Sequence, residues 1–104
     1  MKTIALAFAL LAVFARSALA SGDVDNAYQI GEIAKQSGLA VDYDVSGWNS
    51  YVDMHVSSML PGDARSVAGL MCQYAHTKQT WEHTWTVRVF LVTGERPAAQ
   101  CTTK

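Results

Sequence analysis

The spacing of apolar side chains divides the chain beyond residue 22 into six segments. Over residues 23–35, Ala27, Ile30, Ile33 and Ala34 recur at helical intervals. Asp23 or Asp25 can cap the start of this helix, and both suit the positive end of its dipole. Gly38 is a fitting stop. Over residues 40–46 the period becomes two. Val41, Tyr43 and Val45 point one way, while Asp42, Asp44 and Ser46 point the other. Ser46-Gly47-Trp48-Asn49 carries turn chemistry, and residues 50–57 alternate again. Val52, Met54 and Val56 lie opposite Tyr51, Asp53, His55 and Ser57. This predicts a hairpin, with one long strand bulged at Gly47 as the alternative.

Leu60-Pro61-Gly62-Asp63 closes that strand and caps a second helix over residues 64–75. Ala64, Val67, Ala68, Met71, Tyr74 and Ala75 share its buried face, with Cys72 at the edge of that face. Residues 77–79 are a short link. The next stretch, TWEHTWTVRVFLV, alternates as a strand over residues 81–92, with Trp81, His83, Trp85, Val87, Val89 and Leu91 on one face. A turn at residues 93–97 returns the chain as a short edge strand over residues 98–103. The predicted architecture is α+β in the order α-β-β-α-β-β. It is a small two-layer sandwich with two helices on one face of an antiparallel sheet of three to four strands. Residues 24–57 and 63–103 share a coarse helix-plus-hairpin shape, although no residue string recurs.

The first twenty residues, MKTIALAFALLAVFARSALA, change this picture least, because they are not expected to belong to the fold. Lys2 supplies a basic start, and residues 3–15 are apolar but short for a spanning helix. Ala18-Leu19-Ala20 offers small residues at a cleavage point. We expect a signal peptide over residues 1–20 and a single exported domain over residues 21–104, periplasmic if the source is bacterial and secreted otherwise. No cysteine sits beside the cleavage point to carry a lipid.

Removing Lys2 and Arg16 leaves six Lys/Arg against nine Asp/Glu, so the net charge of −1 becomes −3. A mildly acidic chain lacks the basic footprint that nucleic acid or anionic membranes attract. The expectation is therefore no nucleic-acid partner and no stable membrane insertion after cleavage. Two cysteines remain, Cys72 and Cys101. In an exported chain they predict one disulfide, closing a loop of about thirty residues. No C-x-x-C suggests a redox pair.

Candidate chemistry is sparse. His55, His76 and His83 show no close ligand spacing, Asp42-x-Asp44 and Asp23-x-Asp25 are too short for a calcium loop, and the glycines form no phosphate cradle. We expect no metal and no cofactor. Asp53, His55 and Ser57 form a row on one strand and superficially supply acid, base and hydroxyl. That spacing does not by itself bring the groups together, and no nucleophile elbow accompanies it.

Two surfaces remain. The open sheet face carries Tyr51, His55, Arg88 and Phe90. At the start of the third strand, roughly 40 Å long against roughly 18 Å for the second helix, Trp81, His83 and Trp85 overhang. There the tryptophans either pack on the first helix, leaving His83 wet, or serve as anchors for a partner. The sequence reading is non-catalytic protein binding, as an inhibitor or an envelope-interaction module, with Tyr51, His55, Arg88, Phe90, Trp81 and Trp85 as partner-binding candidates. The alternative is a small hydrolase-like or ligand-binding protein using Asp53 and His55.

Overall fold

The computed structural model describes residues 22–104. The expected signal peptide and its cleavage point lie outside them. Six elements follow in the predicted order: α1 (Asp23–Gln36), β1 (Asp42–Ser46), β2 (Tyr51–His55), α2 (Pro61–Lys78), β3 (Thr86–Phe90) and β4 (Ala99–Thr102). The strands form one four-stranded sheet in the order β1-β2-β3-β4. Both helices pack on the face that presents Val52, Met54, Val87 and Val89, all fully buried.

The central pair departs from the expected antiparallel sheet. The β1–β2 and β3–β4 pairs are antiparallel, but β2 and β3 run parallel, with Val52 opposite Val87 and Met54 opposite Val89. The reason is the crossover. α2 has eighteen residues, about 27 Å of helix. It carries the chain back along the sheet, so β3 restarts at the end where β2 began. For the same reason the two helix-plus-hairpin halves take different places in the sheet. β1 is an edge strand, and its counterpart β3 is central.

The helix termini follow local chemistry. Pro61 opens α2 at a position where its missing N–H costs nothing. Gly38, at φ 81°, ends α1; its N–H reaches the Lys35 carbonyl, and Leu39 N–H reaches Ala34. Asp23 is not the cap of α1. Gly22 occupies that position without a side-chain bond, and the Asp23 carboxylate is buried in a long-range contact described below.

α1 sits directly on β1. The Tyr43 ring occupies the space where a Cβ at Gly31 would stand. The Tyr43 hydroxyl donates to Glu32 Oε2 at 2.8 Å. That bond holds the Glu32 carboxyl below its ordinary range and the Tyr43 phenol above its own. A lowered carboxyl pKa adds stability above the usual carboxylate range, and that contribution fades as pH falls through the folded-state value. Gly31→Ala should destabilise the fold by ~1–3 kcal/mol despite better helix propensity, because the ring must be displaced. Urea unfolding measures this; a gain in stability would mean that α1 does not rest on Tyr43.

The disulfide joins Cys72 of α2 to Cys101 of β4, with Cα atoms 6.3 Å apart. It ties the four-residue edge strand to the helix above it. His76 Nε2 adds a second tie, 2.9 Å from the Thr102 carbonyl. Among the described residues no helix is long and apolar enough to cross a membrane.

Candidate functional site

The strand expected over residues 81–92 is regular only from Thr86 to Phe90. Residues 80–85 form a loop whose backbone is held largely by side chains. The Asp23 carboxylate accepts Glu82 N–H at 2.8 Å and His83 N–H at 2.9 Å. Trp85 N–H donates to the buried Thr103 Oγ1 at 3.0 Å, and Thr103 N–H returns to the Trp85 carbonyl at 2.9 Å. The loop places Trp81 and Trp85 in the core, their ring centroids 6.0 Å apart, and leaves the His83 side chain exposed. The two tryptophans therefore offer no exposed edge to a partner, and the overhang expected of this strand is absent. His83 is the wet margin residue. His83→Gln should leave the melting temperature within about 2 °C of wild type. A larger loss would show that the imidazole itself holds the loop.

The open face of the sheet is built from the outward side chains of all four strands. Asp42 and Asp44 come from β1; Tyr51, Asp53 and His55 from β2; Thr86, Arg88 and Phe90 from β3; Gln100 and Thr102 from β4. Register places Asp53 beside Arg88, and the pair is two-pronged. Arg88 Nε donates to Asp53 Oδ1 at 2.7 Å and Nη2 to Oδ2 at 2.6 Å. Both side chains are partly shielded, 26% and 19% exposed. Hydrogen bonding to Asp53 raises the already high Arg88 pKa. The guanidinium carbon lies 3.9 Å from the centre of the Tyr51 ring and 5.6 Å from that of Phe90.

His55 completes the row. Its ring stacks on Phe90 with centroids 5.1 Å apart and planes 21° from parallel. Its Nδ1 lies 2.8 Å from Asp42 Oδ1, without the alignment of a hydrogen bond. Phe90 is thereby only 8% exposed although no helix among the described residues covers this face. Of the residues singled out in the sequence, Tyr51, His55, Arg88 and Phe90 are brought together; Trp81 and Trp85 are not among them.

The catalytic alternative is not assembled. Asp53 gives both oxygens to Arg88, and His55 turns to Asp42 and Phe90 instead. Ser57 is exposed beyond the end of β2. Among the described residues no group of three His, Cys, Asp or Glu side chains converges as a metal site would require.

Two residues were missed in the sequence. Asp23 looks like a helix cap, and nothing local reveals its bonds to a loop some sixty positions away. Trp48 looks like one residue of a turn, yet its side chain is 100% exposed. A tryptophan inside a four-residue turn signal was the one clue available. Comparison of the chain with protein-family models, with curated proteins and with solved structures finds no match.

Proposed function

We propose that this chain is a small exported, disulfide-bonded protein that acts by non-catalytic protein binding through its open sheet face. Its partner is an enzyme that it inhibits or an envelope assembly that it joins. The observation that carries this reading is Arg88, locked between Tyr51 and Phe90 by its two-pronged pair with Asp53 on a face that no described element covers. Such a surface loses little side-chain freedom on docking, and Arg and Tyr are the residue types that carry most interface energy. The Cys72–Cys101 disulfide supports residence in an oxidising compartment.

The test is affinity capture from the native envelope extract with wild-type protein and with the double variant Asp53→Asn, Arg88→Gln. Changing both partners avoids leaving a partly buried carboxylate without its cation, which Arg88→Ala alone would do. A protein retained by wild type and lost from the double variant at unchanged fold is the expected result. Equal retention by both removes the open face from the function. Turnover of a small substrate that His55→Gln abolishes would replace binding by catalysis.

A further inference from the structure

The β1–β2 hairpin ends in a turn whose Trp48 side chain no part of the described fold covers. Trp48 is buried by none of the described residues, so its indole adds nothing to the core. Exposed apolar residues are common singly, but a wholly exposed tryptophan places the largest apolar side chain entirely in water. The turn that bears it is nonetheless well held. Asn49 Nδ2 donates to Ser46 Oγ at 3.2 Å across the turn. Ser50 adopts φ 57°, a left-handed conformation unfavourable for a serine, and it is the sole non-glycine at positive φ among the described residues. The Ser50 carbonyl accepts Thr86 N–H at 2.9 Å, which fixes the tip to the end of β3. A strained, braced turn that displays a bare indole has the form of a preorganised anchor.

The charge beside the tip selects the partner. Asp44, on the strand that leads into the turn, is exposed and has no ion-pair partner among the described residues. Its neighbour across the sheet is Asp53, whose charge Arg88 takes. Asp42, two residues earlier on the same face, lies against His55, and Asp25 is exposed on α1. A second copy of this acidic chain, or an anionic lipid surface, would meet like charge there.

We infer that the β1–β2 hairpin is an insertion loop, with Trp48 entering an apolar pocket on a protein partner whose rim is basic and Asp44 meeting that rim. This rests on the protein-binding reading and adds to it a second contact and the chemistry of the partner. The hairpin is continuous with the open face through Tyr51, so one partner can cover both.

The test uses protein purified from expression of the full chain and a display library of cyclic twelve-residue peptides as the probe. Enriched peptides should combine Lys or Arg with large apolar residues. They should bind Trp48→Ala about tenfold or more weakly than wild type, and Asp44→Asn several-fold more weakly. Added salt should weaken them, and Leu70→Ala, an exposed apolar change on α2, should leave binding unchanged. Peptides that ignore Trp48→Ala but are lost from the Asp53→Asn, Arg88→Gln variant would overturn the hairpin while leaving the open-face function in place. Failure to enrich any peptide sensitive to either site would overturn both. Vesicles of phosphatidylcholine, and of phosphatidylcholine with phosphatidylglycerol, are run in parallel. A blue shift of tryptophan emission on vesicles that Trp48→Ala removes would overturn the inference in favour of a lipid surface. Concentration-dependent dimerisation lost in Trp48→Ala would overturn it in favour of a second copy.

Discussion

Val89→Asp should leave the chain without a stable fold, whereas Thr86→Asp, three residues earlier on the same strand, should cost about 1 kcal/mol or less. Val89 is fully buried beneath α2, with Met54 beside it on β2 and Ala99 on β4. A carboxylate there loses its hydration with no cation among the core residues to replace it. The penalty, even after the group takes up a proton, is several kcal/mol, comparable with the whole stability expected of a domain this small. Thr86 faces the open side, half-buried between Tyr51 and Thr102, where water still reaches a carboxylate. Its change sacrifices chiefly strand propensity. Far-ultraviolet circular dichroism and urea melts of the two variants check this; equal losses would mean that the faces of β3 are assigned the wrong way round.

Removal of the disulfide has the next largest effect. Cys72→Ser with Cys101→Ser should lower stability by ~2–4 kcal/mol, since the bond closes a loop between positions 29 apart. The loss should fall first on β4, a four-residue edge strand tied to the helix layer by this bond and by the His76–Thr102 contact. Loosened β4 exposes the β3 edge, so the reduced protein should also aggregate more readily. Denaturant unfolding with and without reductant measures the first effect, and hydrogen exchange at residues 99–102 the second. A reduced protein as stable as the oxidised one would contradict the account of how a core this small is held.

What the residue pattern revealed depended on how far apart the interacting groups lie. α1 and α2 were legible because Ile30, Ala34, Val67, Ala68 and Met71 repeat at helical spacing next to Gly38 and Pro61. The buried faces of β2 and β3 were legible from Val52 and Met54, and from Val87 and Val89. The disulfide followed from arithmetic and the expected compartment. The parallel pairing of β2 with β3 was hidden, because it is set by where α2 delivers the chain and not by either strand. Residues 81–85 imitated a strand: two core tryptophans four apart, with His83 midway, produce the same alternation when a loop folds over the core. The groups that hold that loop are Asp23 and Thr103, neither of which is near it in sequence.

The candidate site divides in the same way. That Tyr51, His55, Arg88 and Phe90 share a face was legible from period two within each strand. That Arg88 meets Asp53 was not, since it needs the register between strands joined by a helix. The consequence is practical. Arg88→Ala reads as a harmless surface change in the sequence, yet it strands a carboxylate that is 19% exposed. Any loss of binding it caused would be mixed with a loss of fold.

The affinity of the captured partner for the Asp53→Asn, Arg88→Gln variant, determined by calorimetry beside a thermal melt of the same sample, is therefore the most direct test of the open face. Binding weaker by about tenfold or more, with a melting temperature lowered by no more than about 8 °C, is the predicted result. Unchanged affinity in a folded variant would contradict the central claim that this face recognises the partner.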